Sequence, residues 1–174
     1  MTDAIDIVIP WVDGADPVHF AKRLKHTVEN EGDFEDVGGA SRFSSIGEIF
    51  YCILSINIFA PFVRKIFIVT DGQDPKIETH IAEALPGGHI PMEIVDHKVI
   101  FRGYEDYLPT FNSRAIEAMI WRIPGRSERI ILMNDDFIIT GKVSPEDFFQ
   151  GEKTVCYAKM YPTWWARLMR ALRP

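Results

Sequence analysis

Cysteine is nearly absent from this chain. Cys52 and Cys156 are the two among 174 residues, and their positions show no paired metal spacing. That argues against a disulfide framework and favours a reducing cytosol. Long apolar runs are missing too, since no stretch reaches the roughly 18 residues a spanning helix needs. The start, MTDAIDIVIPWVDG, has no positive n-region, and its apolar run is too short for a signal peptide. Positive charge is in deficit, with 19 Lys and Arg against 25 Asp and Glu and a formal net charge of −6. Nucleic acid is therefore a poor main partner, and an anionic substrate would need a metal or a local basic cluster. Repeats and low-complexity runs are also absent. What remains is ordinary for one globular domain: 47% hydrophobic and 25% charged residues, enough for a substantial core.

Apolar patterning supplies the architecture. IDIVIPWV (5–12), KIFIVT (65–70), MEIVDH (92–97) and RIILMN (129–134) are continuously apolar, β-branched runs that read as strands, and TVCYAKM (154–160) reads as a fifth. Asp16 as N-cap with Pro17 next starts a helix over PVHFAKRLKHTVEN. Ala21, Leu24 and Val28 form its apolar face, and Lys22, Arg23 and Lys25 lie on a solvated one. Ser45 and Glu48 form a capping box before a core helix that Pro61 stops, and the acidic, glycine-rich stretch 31–41 is a loop. PKIETHIAEAL and NSRAIEAMIWRI are further helices, and SPEDFF is a helical turn. Strands alternating with helices predict an α/β, Rossmann-like fold with a mainly parallel sheet covered on both faces. The core is expected over 1–160. Residues 161–174 form a tail in which Trp164, Trp165, Leu168, Met169 and Leu172 alternate with Arg167, Arg170 and Arg173. That tail reads either as a basic amphipathic helix touching an anionic membrane surface or as a terminal helix packed on the domain.

Ligands of open α/β sheets sit outside the carboxyl ends of the strands. Three strands here end in Asp13-Gly14, Asp71-Gly72-Gln73 and Asn134-Asp135-Asp136, so parallel pairing brings these tips to one edge. Adjacent carboxylates repel, and burying one costs several kcal/mol unless something neutralises it. Asp135 and Asp136 therefore either face water or bridge Mg²⁺ or Mn²⁺ to the phosphates of a nucleotide. The two Asp-Gly turns are ordinary turns or places where backbone approaches a ligand. Asn112 or Ser113 caps the next helix, and Arg114 in its first turn either meets an anion or reaches a carboxylate. His97 is an acid–base candidate or a hydrogen-bonded structural histidine.

In order along the chain, IDIVIPWVDGADP, RF, SINIFAPFVRKIFIVTDGQDP, VDHKVIF, LPTFNSRAIEAMIWRIPGRSERIILMNDDF and PEDFF resemble the first two conserved regions of the Stealth family of sugar-1-phosphate transferases. That family includes bacterial capsule polymerases and the α/β subunit precursor of the lysosomal-enzyme GlcNAc-1-phosphotransferase. The likeness runs from about Ile5 to about Phe149. After Arg42-Phe43 the family's acidic, Asn-containing run is replaced by SSIGEIF, which keeps Glu48. The family's third and fourth conserved regions, which bring a histidine to the site, have no counterpart, so a partner chain completes it or the chain is a fragment or a degenerate member.

The resemblance implies a glycosyltransferase-A-like core that transfers sugar-1-phosphate from a nucleotide-diphospho-sugar to a glycan hydroxyl in capsule or exopolysaccharide synthesis. Its location would be cytoplasmic, peripheral at the inner face of the plasma membrane. Asp135 and Asp136 would hold the Mg²⁺ or Mn²⁺. Asp13, Gly14, Asp71, Gly72 and Gln73 would line the nucleotide, Asn112, Ser113 and Arg114 would contact phosphate or sugar, and His97 would be the acid–base group. The rivals are an ordinary metal-dependent glycosyltransferase and a non-catalytic sugar-nucleotide-binding subunit.

Overall fold

The computed structural model of the protein describes residues 4–29 and 47–158. The chain forms two compact units, Met1–Val143 and Ser144–Pro174.

Four parallel strands make the sheet of the first unit: β1 (Ile5–Pro10), β2 (Lys65–Thr70), β3 (Met92–Asp96) and β4 (Arg129–Leu132), in the order β3-β2-β1-β4. Ile7 pairs with Ile66 and Ile9 with Ile68 across β1 and β2, while Asp6 pairs with Ile130 across β1 and β4. All-parallel pairing needs both faces covered, and the side-chain alternation of a strand supplies two apolar faces from one run. Ile7, Ile9, Ile66 and Ile68 point one way and pack with Ile49, Ile53 and Ile56 of α2 (Glu48–Phe59) and Ile81 of α3 (Glu78–Ala84). Val8, Phe67, Val69 and Val95 point the other way. They pack with Ile100 of α4 (His97–Ile100), Ile116 of α5 (Ser113–Glu117), and Phe101, Ile120 and Ile123. Burying each such side chain stabilises by about 1.5–3 kcal/mol, so a one-residue slip of β1 would exchange both faces at once.

The remaining helix, α1 (Pro17–Glu29), starts as expected: Asp16 Oδ1 accepts from the His19 amide at 2.8 Å, with Pro17 at the first helical position. Its buried face is not the expected one. His19 and Arg23, one turn apart, are buried at 3% and 2% exposure, while Leu24 is 44% exposed and Ala21 is also exposed. A long-range aromatic partner accounts for His19, which meets the Phe111 ring edge-on at 5.5 Å, while the Arg23 guanidinium lies 5.5 Å over Phe20 of the same helix. Arg23 therefore leaves the solvated cluster assigned from sequence.

Two further expectations change. The helix expected over Asn112–Ile123 runs as α5 over Ser113–Glu117 and then tightens into a 3-10 turn at Ile120–Arg122. Pro124 follows Ile123 and disfavours helical backbone there, and Ile123 accordingly sits at φ −60, ψ 122. The expected fifth strand does not join the sheet. In the second unit, β6 (Lys153–Thr154) pairs antiparallel with β5 (Phe149–Gln150) around Gly151. In that unit Ser144 caps the turn at Pro145–Asp147, its amide and hydroxyl both donating to Asp147 Oδ2 at 2.7 and 3.1 Å. Helix α2 begins at Glu48 behind Gly47, and Ser45 of the expected capping box lies outside the described residues, as do loop 31–41 and tail 161–174.

Candidate functional site

Along the carboxyl edge of the sheet lies a cavity of about 530 Å³. Each wall comes from a strand end or a helix start. β1 supplies Pro10, Trp11 and Val12, the β3–α4 junction supplies His97, and the turn after β4 supplies Asn134, Asp135 and Asp136. α1 contributes His19, α2 contributes Glu48 from its first turn, and Thr110, Phe111, Ser113 and Glu117 close the remaining side.

Glu48, Glu117, Asp135 and Asp136 all line this cavity. Burial pushes the Asp135 carboxyl above the ordinary carboxylate range, and the neighbouring charges of Asp136 and Glu48 push the same way. Helix α2 runs beneath the acidic turn. Cys52 Sγ donates to Asn134 O at 3.6 Å, and Ser55 Oγ accepts from the Ile139 amide at 3.0 Å. Burial, reinforced by Asp135 and Asp136, raises the Cys52 thiol to about 12, so it stays neutral.

Trp11 Nε1 and His97 Nε2 on the cavity wall are buried and meet no hydrogen-bond partner among the described residues. A buried donor or acceptor left unmade costs about 1–3 kcal/mol, so both favour a polar ligand atom. Burial holds His97 below the ordinary imidazole range, with Asp71 and Asp96 opposing and His19 and Lys22 assisting. His19 is lowered chiefly by burial as well. Both rings are thereby kept uncharged beside the acids.

The other residues singled out from sequence divide by their partners. Gln73 bridges the tips of β1 and β2: its Oε1 accepts from the Asp13 amide at 2.9 Å and its Nε2 donates to Asp13 O at 3.0 Å. Both ends of that amide are committed. Asp13 Oδ1 accepts from the Ala15 amide at 2.9 Å, closing the turn through Gly14. Asp71 pairs with Lys22 Nζ at 3.0 Å. Gly72 takes φ +68, where a Cβ would stand 3.3 Å from Asp96 Oδ2. Asn112 Oδ1 accepts from the Arg114 amide at 3.0 Å, capping α5, and Arg114 itself is exposed. The acidic cavity thus gathers Asp135, Asp136, His97 and Ser113, and Asp13, Gly14, Asp71, Gly72, Gln73, Asn112 and Arg114 lie outside its lining.

Trp11, His19, Glu48 and Phe111 line the cavity although sequence reading gave none of them a role in the site. Their shared signal is position: each lies just past a strand end or within a turn of a helix start on the carboxyl edge. Among the described residues, no three of His, Cys, Asp and Glu come together as a ready-made metal cage.

The parallel α/β sheet agrees with the fold expected from sequence, and the family comparison agrees with the resemblance. Residues 42–157 match Stealth protein conserved region 2, and residues 3–25 match conserved region 1. The chain belongs to the Stealth family. It is 39% identical over 153 residues to an exopolysaccharide phosphotransferase, SCO6021, of Streptomyces coelicolor, covering 88% of this chain and 26% of the relative. It is 37% identical over 145 residues to the receptor polysaccharide phosphotransferase WefC of Streptococcus oralis, covering 83% and 41%. The capsular polysaccharide phosphotransferase cps1A of Actinobacillus pleuropneumoniae is 35% identical over 147 residues, covering 84% and 38%. The chain therefore spans between about a quarter and two fifths of the length of these relatives. Among the described residues no helix is long and apolar enough to cross a membrane.

Proposed function

We propose that this chain forms the donor-binding core of a sugar-1-phosphate transferase that acts in capsule or exopolysaccharide synthesis. The observation that carries this reading is the acidic cavity at the carboxyl edge, in a chain whose relatives are polysaccharide phosphotransferases. A nucleotide-diphospho-sugar would occupy the cavity, and a glycan hydroxyl would approach its β-phosphorus. The new bond forms from the acceptor oxygen to that phosphorus, the bond to the bridging oxygen breaks, and a nucleoside monophosphate leaves.

Asp135 and Asp136 would hold Mg²⁺ or Mn²⁺ through carboxylate oxygens, the ligand type these cations prefer, with the donor's phosphate oxygens completing the set. Such a cation supplies charge neutralisation for the pyrophosphate. His97 is buried, held below the ordinary imidazole range and without a partner at Nε2 among the described residues, and is suited to take the proton of the acceptor hydroxyl there. Trp11 Nε1 orients a ligand oxygen. Gln73 fixes the β1 tip against the β2 tip, which holds the wall in place before ligand arrives. The arginine-rich tail would keep the protein at the inner face of an anionic membrane, where a lipid-borne glycan is made.

Titrating UDP-N-acetylglucosamine with Mg²⁺ and again with EDTA tests the donor site. Binding that needs the cation and is lost at least tenfold in Asp135→Asn/Asp136→Asn is the expected result, and unchanged affinity places the site elsewhere. His97→Gln should lower turnover about 100-fold with donor affinity retained. Release of a nucleoside diphosphate in place of the monophosphate would assign the reaction to an ordinary glycosyltransferase.

A further inference from the structure

Phe101, Leu108 and Ile120 pack against the sheet face of Val8, Phe67 and Val69, and their chain neighbours Tyr104, Tyr107 and Trp121 are left outside, between 49% and 69% exposed. Tyr104 caps the 3-10 turn Glu105–Tyr107, and Tyr107 ends it. Residues three apart come into line in such a turn, and the two ring centroids stand 6.4 Å apart. Trp121 lies in the 3-10 turn Ile120–Arg122. Arg122 braces the group: its guanidinium lies 4.9 Å over the Tyr104 ring and 5.8 Å from the Trp121 ring, and its Nη2 donates to Arg102 O at 2.6 Å. The backbone is fixed as well, the Tyr104 amide donating to Phe101 O at 2.7 Å and Arg126 Nε to Trp121 O at 2.6 Å. A lone exposed ring needs no explanation, whereas three joined through one cation form a patch suited to a ligand.

We propose that Tyr104, Tyr107 and Trp121 form a stacking platform for the sugar units that follow the reacting end of the acceptor glycan. This rests on the phosphotransferase reading of the acidic cavity. That cavity, of about 530 Å³, is of the size that takes one small ligand, so units behind the reacting hydroxyl would lie on the outer surface. The platform stands on the approach to it. Three residues lead from Tyr107 to Thr110 on the cavity wall, a span of at most about 11 Å. The chemistry fits a saccharide: an aromatic face is negative, the C–H bonds on the face of a sugar ring are weakly positive, and the tyrosine hydroxyls can meet sugar hydroxyls. Protein partners also favour Trp, Tyr and Arg, but position beside the cavity favours the glycan.

The test titrates the protein with cellohexaose, chitohexaose and glucose, following the Trp121 indole and the tyrosine rings by NMR. Expected is binding of at least one hexasaccharide at least tenfold tighter than of glucose, because several rings act at once. Its affinity should hold from 50 to 300 mM salt, since no ion pair carries it. Tyr107→Ala/Trp121→Ala should weaken that binding at least tenfold, and Tyr107→Phe/Trp121→Phe should keep most of it. Both variants should bind UDP-N-acetylglucosamine as the unaltered protein does. No hexasaccharide binding, or binding unmoved in the alanine variant, overturns the platform. Dimerisation of the unaltered protein that the alanine variant abolishes assigns the rings to a second copy and overturns it too. Hexasaccharide binding that needs the rings while cation-dependent donor binding is absent removes the donor reading and leaves the platform standing.

Discussion

The two edges of the sheet place their acids in opposite surroundings. At the amino edge Asp6 is fully buried, and donors surround it: Arg64 Nε and Nη2 reach its two oxygens at 2.8 and 2.6 Å, and the Ser127 amide reaches it as well. Burial works against its charge, but the hydrogen bonds from Arg64 and Ser127 prevail and hold it below the ordinary carboxylate range. At the carboxyl edge burial also works against Asp135, and there the neighbours are Asp136 and Glu48, so its titration moves up. One edge spends its charges on holding β1, β2 and the chain before β4 together. The other sets Asp135 beside Asp136 and Glu48, whose charges add to burial in opposing its ionisation.

Removing one partner at the compensated edge should have the largest effect. Arg64→Ala leaves Asp6 buried and unpaired and should lower stability by about 2–4 kcal/mol, discounted because Arg64 is 41% exposed. The urea midpoint measures it, and a loss under 1 kcal/mol would erase the contrast between the edges. Gly72→Ala follows, because a positive φ and a Cβ 3.3 Å from Asp96 Oδ2 should together cost about 1–2 kcal/mol. Asp135→Asn/Asp136→Asn should go the other way and raise stability by up to about 1 kcal/mol, since it removes the burial cost of the Asp135 charge and its repulsion by Asp136 and Glu48.

Acid separates the edges by sign. Asp6 titrates below its unfolded value of 3.8, so its contribution is present above 3.8 and disappears as pH falls through the lower folded value. Asp135 titrates above 3.8, so it destabilises at neutral pH and that burden lifts as pH falls from its folded value toward 3.8. Stability measured between pH 6 and 2 should therefore fall less steeply below 3.8 in Asp6→Asn, and rise less toward 3.8 in the Asp135 variant. The smallest readout is chemical. At pH 8 iodoacetamide should modify exposed Cys156 and spare Cys52, whose buried thiol is held to about 12. Equal labelling would mean that α2 does not seal the acidic turn from below.

The sheet was legible chiefly through β1 and β2, near-continuous apolar runs buried on both faces with little polar alternation to blur them, while the edge strands β3 and β4 are shorter and partly exposed. The tips were legible as a group for the same reason: parallel order alone brings Asp13, Asp71 and Asp135 to one edge. Which tip meets a ligand was not. Gln73 and Asn112 carry the right chemistry, and their hydrogen bonds are taken by neighbouring backbone, a fact of loop geometry that spacing does not encode. The inward face of α1 was also hidden. Apolar periodicity points to Leu24, whereas Phe111, some ninety residues away, draws His19 inward.

The turn bearing Asp135 and Asp136 is pinned to one helix on either side, at Asn134 through Cys52 and at Ile139 through Ser55. A free loop would let two like charges drift apart. Here the anchor points are a few residues from each acid, so the backbone keeps half-buried Asp135 beside exposed Asp136, and their repulsion is left to the water around Asp136 and to whatever proton or cation reaches Asp135.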